Sequence, residues 1–238
     1  MPRILSMGCG IQTTACNILY HDKYDAVVFA DTNNESKETY QYIEKYIKPF
    51  CIEKGLQFVT VNRIWQGKPQ SVLDEAIEHK AIERYFTQRQ CTTRHKIRPI
   101  LKWIRENIDC NKDKPCLVDI GFSIDESQRI GKDYEQKYVT KNYPLAYERI
   151  TRRQCAEIIT KHEWPQPPKS ACTFCPFMGM KKMREFSKSD PETFQKLVDA
   201  ENRDKAGRPI FRNKALKNIQ QNDTLDNYEM CDSGHCFV

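Results

Sequence analysis

Residues 3–14 read RILSMGCGIQTT, and this stretch decides the fold. Its first five residues carry the apolar side chains of a short strand, the Gly8-Cys9-Gly10 turn follows, and a helix is predicted over residues 12–21. Glycines let backbone N–H groups turn toward an anion, and the start of a helix adds partial positive charge. The stretch therefore predicts a phosphate-binding loop or, alternatively, an ordinary tight turn between strand and helix. The hydroxyl groups that could donate to phosphate oxygens are those of Ser6, Thr13 and Thr14.

The same alternation of strand and helix patterns continues to about residue 150. Further strands are predicted over residues 25–31, 57–62 and 116–122, and helices over residues 36–54, 71–86 and 96–107. The run DAVVFAD at residues 25–31 is almost continuously apolar, as expected of a strand buried on both faces. Strands separated by helices imply βαβ units, so the predicted fold class is α/β, Rossmann-type, with a mostly parallel sheet and flanking helices.

The pattern changes in the second part of the chain. Helices are predicted to begin after Thr151, an N-cap residue, and at Asp190-Pro191, where an N-cap is followed by proline. Between them, Cys172 and Cys175 are separated by two residues. We therefore divide the chain into an α/β domain, residues 1–150, and a helical, cysteine-bearing, basic extension, residues 151–238.

The composition is that of a chain that folds in water. The sequence has 238 residues, of which 39% are hydrophobic and 29% charged, with a formal net charge of +6. These values exclude a disordered polyelectrolyte. No apolar run approaches the ~20 residues that span a bilayer, and the N-terminus turns polar too early for a secretory signal. We therefore expect a cytoplasmic protein with no membrane partner.

Eleven cysteines are an unusual number for such a chain. In a reducing compartment, clustered thiols more often hold metal or take part in redox chemistry than form structural disulfides. Cys9 lies in the glycine-flanked turn. Five others have no ligand spacing and are mostly interpreted as small, inert hydrophobic residues: Cys16, Cys51, Cys110, Cys116 and Cys155.

Two polar segments follow predicted strands, where open α/β sheets bind their ligands. Asp31-Thr32-Asn33-Asn34-Glu35 could accept hydrogen bonds from a ribose hydroxyl or an adenine amino group, could hold Mg²⁺ beside phosphates, or could simply cap the next helix. In residues 121–129, Glu126 and Arg129 lie three positions apart at a helix start. They could pair with each other, or Arg129 could face a phosphate or sulfate.

A fourth segment, residues 90–99, reads QCTTRHKIRP and surrounds Cys91 with basic side chains. A thiol in such a field is expected to have a lowered pKa and to be mostly thiolate. The alternative interpretation is a solvated basic helix start that contains an incidental cysteine.

In this order, the four segments resemble motifs of the phosphoadenosine phosphosulfate (PAPS) reductase family, within the adenine-nucleotide α-hydrolase or N-type ATP pyrophosphatase group. The family's Ser-Gly-Gly-x-Asp-Ser, Asp-Thr-Gly and Gly-x-Arg-x-x-Glu-Ser-x-x-Arg motifs are similar to residues 6–14, 31–35 and 121–129. The iron–sulfur branch has a Cys-Cys-x-x-Arg-Lys-x-x-Pro signature and a downstream Cys-x-x-Cys. The residues that resemble these two motifs are Cys91, Arg94, Lys96, Pro99, Cys172 and Cys175.

The cysteine pattern is most similar to that of the DNA phosphorothioation ATP pyrophosphatases and the iron–sulfur sulfonucleotide reductases. The resemblance implies a HUP-like fold that binds ATP and Mg²⁺, with Asp31, Cys91 and Cys231 as catalytic residues. The residues that it implies for nucleotide binding are Ser6, Gly8, Gly10, Gln12, Thr13, Thr14, Asp31, Thr32, Glu35, Gly121, Glu126 and Arg129.

The sequence also departs from the family pattern. The loop has Gly10-Ile11-Gln12-Thr13 where the family has Lys and Asp, Ser123 replaces an arginine, and Gln90 replaces the first cysteine of the pair. Sulfonucleotide reductases end in Glu-Cys-Gly-x-His, of which residues 230–236 are a spaced-out version. The nucleotide fold is therefore implied more strongly than sulfonucleotide reduction.

The cysteine spacing raises the question of a metal. Cys172 and Cys175 could both bind one metal ion or cluster, and the family resemblance implies Cys91 as a third ligand. Cys231 or Cys236 could supply a fourth. A [4Fe–4S] cluster is the first expectation and a zinc site is the alternative. A protein without metal, in which Cys231 and Cys236 form a redox disulfide, is the third.

The leading functional hypothesis is an ATP pyrophosphatase-type sulfurtransferase that adenylates a nucleic-acid target for DNA phosphorothioation or tRNA thiolation. Basic residues crowd the C-terminal third, which suits a phosphate-rich partner such as DNA or RNA. A cysteine desulfurase or another sulfur donor is the expected protein partner, and the oligomeric state is left open, a dimer included. One alternative is a PAPS or adenosine phosphosulfate reductase, in which a Cys231 thiolate attacks the sulfate sulfur. The other is a non-catalytic nucleotide- or nucleic-acid-binding module with a structural zinc.

Overall fold

The structure is a computed structural model that describes residues 1–79, 90–131, 136–173, 175, 179–203 and 216–219. Of His79, only the backbone is described. The predicted site residues Cys231 and Cys236 lie outside the described residues, as do the basic residues Lys205, Arg208, Arg212 and Lys214. Residues 80–86 of the helix predicted over 71–86 also lie outside them.

The described residues form a five-stranded, wholly parallel sheet, which confirms the predicted fold class. Its strands are β1 (Arg3–Met7), β2 (Ala26–Asp31), β3 (Gln57–Asn62), β6 (Cys116–Ile120) and β7 (Val139–Asn142), in the order β3-β2-β1-β6-β7. A separate antiparallel hairpin is formed by β4 (Ile64–Trp65) and β5 (Lys68–Pro69). The sequence interpretation missed β7 because VTKN has no apolar run, and it missed the hairpin because each of its strands has two residues.

Helices flank both faces of the sheet. They are α1 (Ile11–Tyr20), α2 (Lys37–Tyr42), α3 (Lys48–Glu53), α4 (Val72–His79), α5 (Arg98–Asn107), α6 (Pro144–Tyr147), α7 (Arg152–Lys161), α8 (Met180–Ser189) and α9 (Pro191–Asn202). Short 3₁₀ turns cover His21–Lys23, Ile124–Arg129 and Leu216–Asn218. π-Helical segments connect α2 to α3 (Ile43–Ile47) and precede α5 (Thr92–Ile97). Such segments often occur at functional sites.

The predicted helix starts are confirmed where their caps are visible. The Thr151 hydroxyl accepts a hydrogen bond from Gln154 N at 3.2 Å and caps α7. The Asp190 carboxylate accepts one from Thr193 N at 3.1 Å, and Pro191 follows as the first residue of α9. Each cap satisfies a backbone donor that the helix itself leaves unpaired.

Consecutive side chains of β1 point to opposite faces of the sheet and pack into two different cores. Leu5 packs on one face of the sheet with Val27 and with Cys155 of α7. Ile4 packs on the opposite face with Val28 and with Ile104 of α5. The sheet is thus covered on both sides, as a parallel sheet requires.

A third core joins α4 to the helices near the end of the chain. Its fully buried side chains include Ala76 of α4, Met183 of α8 and both Phe194 and Leu197 of α9. The proposed division at residue 150 stays a prediction. Among the residues that the structure describes, none of the helices combines the length and the apolar character needed to cross a membrane.

Candidate functional site

The strand order creates a crevice at the carboxyl ends of β1 and β6. The chain runs from β1 outward through β2 to β3 on one side, whereas β6 and β7 complete the sheet on the other side of β1. Ligands of open α/β sheets bind at such a switch point. A cleft of about 470 Å³, its open mouth included, lies there. Its lining residues are Ser6, Met7, Gly8, Gly10, Gln12, Thr13, Ala30, Lys96, Ile100 and Gly121.

The floor of the cleft is the turn between β1 and α1. Cys9 is buried and has a left-handed backbone with φ 56°, a conformation that costs energy in a residue other than glycine and that concentrates at functional sites. Gly10 caps α1, and its N–H donates to the Thr13 hydroxyl at 3.3 Å. The Ser170 hydroxyl donates to the Gly8 carbonyl and ties the turn to the segment that precedes Cys172. The turn is therefore held from two sides.

Gly121, just after β6, closes the other wall of the cleft. A Cβ at this position would lie 2.7 Å from Thr13 Cγ2 and 3.0 Å from Thr13 N, so only glycine allows the two segments to approach this closely. Thr14 differs from its neighbour Thr13, because it is fully buried and is not a lining residue. Within the described residues its hydroxyl has no hydrogen-bond partner.

Lys96 brings a positive charge into the cleft from outside the loop. Its side chain is 16% exposed, and its ammonium lies 3.3 Å from Glu35 Oε1. Burial acts to lower the pKa of Lys96, but the Glu35 carboxylate outweighs it, so the pKa is raised and the side chain stays charged. The turn between β1 and α1 contains no basic side chain, and the π-helical segment before α5 supplies this one.

Two thiols from distant parts of the chain lie beside this ion pair. Cys172 Sγ is 3.3 Å from the Thr32 hydroxyl, and the backbones of Cys172 and Glu35 form an antiparallel bridge. Burial and then Glu35 raise the pKa of Cys172, against the opposing effect of Lys96. Cys91 packs against the same core as Cys172, close enough for a thiolate at either position to interact with Lys96.

The thiols alone do not complete a metal site. The N–H of Cys175 donates to the carbonyl of Cys172 at 3.0 Å, which closes a tight turn between the two cysteines. Among the described residues, there is no group of three or more His, Cys, Asp or Glu side chains that could hold a metal ion. The predicted fourth ligand, Cys231 or Cys236, lies outside those residues.

Asp31 shapes the loop after β2. Its Oδ1 accepts hydrogen bonds from Asn33 N and from the Tyr40 hydroxyl, both at 2.8 Å. Asn33 is left-handed, with φ 56°, and the Thr32 hydroxyl donates to Glu35 Oε1 at 3.2 Å. This segment holds Glu35 beneath Lys96, and the Glu35 carboxylate oxygen Oε2 has no partner among the described residues.

A chain of polar contacts leads from the cleft to two arginines. Gln12 Nε2 donates to Glu126 Oε2 at 2.8 Å, and Glu126 forms an ion pair with Arg129. The Arg129 guanidinium lies 4.2 Å from the centre of the Phe122 ring. On the other side, the Arg152 guanidinium donates to Gln12 Oε1 at 3.4 Å. The Glu126–Arg129 pair was one of the two predicted alternatives.

A buried carboxylate anchors the segment that carries Cys91 and Lys96. Glu75 of α4 is 1% exposed and binds Arg63 at 2.9 Å, Arg94 at 2.6 Å and His95 Nε2 at 2.5 Å. Burial lowers the pKa of His95 although Glu75 acts to raise it, so the imidazole is neutral near pH 7 and donates from Nε2.

No protein-family model and no curated protein matches the chain. Among solved structures, the chain is similar to phosphoadenylyl-sulfate (PAPS) reductase from Candida auris, solved as a phosphate complex. The TM-score is 0.48 and the sequence identity 15%, over 70% of this chain and 76% of that chain. A likeness at this level carries no inference about activity, so the site is interpreted from its own geometry.

The structure brings most of the predicted residues to one edge of the sheet. Six of the predicted nucleotide-binding residues line the cleft: Ser6, Gly8, Gly10, Gln12, Thr13 and Gly121. Thr32 and Glu35 contact Lys96 or Cys172 beside it, and Glu126 and Arg129 are reached through Gln12. The sequence interpretation missed Glu75 and Arg152. Nothing in the sequence separates Arg152 from its neighbour Arg153, which lies on the exposed side of α7.

Proposed function

We propose that the chain is an ATP pyrophosphatase-type enzyme that adenylates a nucleic-acid target for sulfur incorporation. The observation that carries this proposal is the position of Lys96. The charged Lys96 side chain lines a glycine-containing cleft at the topological switch point, and Cys91 and Cys172 lie beside it. A polyanion site next to thiols suits an enzyme that uses a nucleotide in sulfur chemistry.

In this proposal, the phosphates of ATP occupy the cleft. The start of α1 and the Lys96 ammonium face them and stabilise the charge that develops on the leaving pyrophosphate. An oxygen of the target attacks the α-phosphorus and pyrophosphate leaves. The terminal sulfur of a cysteine persulfide, formed by the donor, then displaces AMP, and a dithiol reductant cleaves the resulting disulfide to free the thiolated target. In a protein without a cluster, Cys91 or Cys172 is the proposed carrier of that persulfide; with a cluster bound, both are ligands and the cluster would supply the sulfur.

Mg²⁺ would come with the nucleotide. It is usually held by one or two carboxylates together with substrate phosphates, and Asp31 at the end of β2 is the proposed carboxylate. Asp31 Oδ1 already accepts two hydrogen bonds, so the carboxylate is fixed in one orientation. When bound, the ion would neutralise phosphate charge.

The nucleic-acid target is supported by charge. The chain carries a net charge of +6. Two of its lysines, Lys181 and Lys182, belong to α8, and Lys182 lies close enough to Glu38 of α2 to help lower the pKa of that carboxyl. A cysteine desulfurase or an equivalent sulfur donor is the proposed protein partner. The proposed location is the cytoplasm.

The test is product analysis with two nucleotides. Purified full-length protein is incubated with ATP, Mg²⁺ and either DNA or tRNA, and in parallel with PAPS and thioredoxin. We expect pyrophosphate from ATP that depends on the nucleic acid, and no sulfite from PAPS. Sulfite without pyrophosphate would identify a reductase and overturn the proposal. Absence of both products would contradict the proposal and favour the non-catalytic binding module.

A [4Fe–4S] cluster on Cys91, Cys172, Cys175 and a C-terminal cysteine is also part of the proposal, with zinc as the alternative. After anaerobic purification, the protein is expected to contain iron and acid-labile sulfide, and Cys172→Ser is expected to remove most of both. Cys110→Ser is the matched control, because Cys110 is a partly exposed thiol without a role in the proposed site. Equal metal content in all three proteins, or none in any, would contradict the cluster.

A further inference from the structure

The β4–β5 hairpin carries an exposed tryptophan that the proposed reaction does not use. Trp65 is 46% exposed and its neighbour Ile64 is 53% exposed. The two-residue turn, Gln66-Gly67, has positive φ angles of 49° and 77°, which favours a rigid hairpin with the normal strand twist. The hairpin directly follows β3, so it stands at the sheet edge that contains the cleft.

The indole of Trp65 is backed by a fixed cation. The Arg63 guanidinium lies 5.6 Å from the centre of the Trp65 ring. Arg63 Nε donates to Gln70 Oε1 at 2.8 Å, and its NH2 group pairs with Glu75 at 2.9 Å. One side of the ring is thus held by a guanidinium that cannot swing away without breaking two polar contacts.

The hairpin is connected to the candidate site by direct contacts. Asn33, in the loop after β2, donates from Nδ2 to the Gln70 carbonyl at 3.4 Å. The Glu75 oxygen that binds Arg63 also accepts from Arg94, two residues before Lys96. A ligand on Trp65 would therefore lie at the same edge as a nucleotide in the cleft.

We infer that Trp65 is a stacking platform for an unpaired base of the nucleic-acid substrate; this inference rests on the proposed function. Residues 63–69 read RIWQGKP, with two cations and no acidic residue, which suits a phosphate backbone. The exposed apolar surface consists of only two side chains, about the size of one base and small for a protein-docking patch. A base in a duplex is already stacked on its neighbours, whereas an unpaired base has a free face for the indole.

The experiment measures fluorescence anisotropy of a labelled 12-nucleotide single strand and of the matching duplex. The variants are Trp65→Leu, which keeps an apolar side chain but removes the aromatic face, and Trp65→Phe, which keeps an aromatic face. Tyr147→Ala is the matched control, since Tyr147 is 62% exposed and follows β7, the outermost strand on the side of the sheet away from β3 and the hairpin. Affinity for ATP is measured for each protein.

Trp65→Leu is expected to weaken single-strand binding at least about fivefold, the lower end of the effect of removing one base–aromatic stack. Trp65→Phe is expected to keep most of the affinity, and Tyr147→Ala and the ATP affinities are expected to stay unchanged. Equal losses in the Leu and Phe variants, or no loss in either, would overturn the inference. Loss of ATP affinity instead would place the adenine ring of ATP on Trp65 and also overturn it. If single-strand binding depends on Trp65 but the protein releases no pyrophosphate, the result would support the stacking platform and refute the proposed enzymatic function.

Discussion

Replacing Lys96 by glutamine is expected to raise the Kd for ATP by about 10- to 150-fold, the loss of one hydrogen bond to a charged group, worth ~1.5–3 kcal/mol. Among the described residues that line the cleft, Lys96 is the one cation. The change also leaves the Glu35 carboxylate buried without its partner and close to a polyanion. Isothermal titration of ATP into the wild type and the variant measures the effect.

Lys102→Gln is the matched control for Lys96. Lys102 lies on α5, is 68% exposed and pairs with Glu106 at 3.8 Å on the surface, so its loss should leave ATP binding unchanged. The double variant Glu35→Gln/Lys96→Gln removes both charges of the ion pair, and we expect it to recover stability but not ATP affinity. Wild-type affinity in Lys96→Gln would show that the nucleotide does not bind in this cleft.

The sequence predicts the central strands well because their side chains are buried on both faces. The apolar runs at residues 3–7, 25–31 and 116–122 follow directly from a parallel sheet covered by helices. The edge strand β7 and the β4–β5 hairpin have no such covering on both sides, and their polar or very short sequences carry no comparable signal. The other edge strand, β3, also has no buried residue, but QFVTVN is rich in β-branched and aromatic residues and is predicted with its exact bounds. A buried apolar run or a clear β composition therefore decides which strands can be found from the sequence alone.

The site is only partly predictable for a different reason. The glycine turn and Gly121 are visible because backbone geometry dictates the residue type. In the sequence, Lys96 is one of several basic residues around Cys91 and part of the resembling motif, but its position beside the cleft depends on a π-helical segment whose register a regular helical period does not predict. Its pairing with Glu35 and the pairing of Arg152 with Gln12 join residues far apart in the chain, and no local pattern encodes them.

Replacing Glu75 by alanine is expected to have the largest effect on folding, a loss of about 3–5 kcal/mol in the free energy of unfolding, because removing one partner of a buried ion pair leaves its partners uncompensated. Arg63, Arg94 and His95 all bind this carboxylate, which is 1% exposed. Urea unfolding measures the change. Glu78→Ala is the matched control on the same helix, because among the described residues Glu78 accepts one amide hydrogen bond, from Gln70 at 3.1 Å. An equal loss in both variants would show that the ion pairs of Glu75 contribute no more to the free energy of unfolding than the hydrogen bond of Glu78.

The same network predicts how stability responds to acid. Burial lowers the pKa of His95 in the folded protein, so between that pKa and the ordinary value of about 6.5 the unfolded chain binds more protons than the folded one. Stability is then complete above about pH 6.5 and decreases as the pH falls below it. The loss on going from pH 7 to pH 5 is expected to be smaller in His95→Gln than in the wild type, because glutamine does not titrate. Urea unfolding at the two pH values measures the difference. An identical pH dependence in both proteins would mean that folding leaves the pKa of His95 unchanged, and a larger loss in His95→Gln than in the wild type would mean that the folded protein binds the proton more tightly than the unfolded chain.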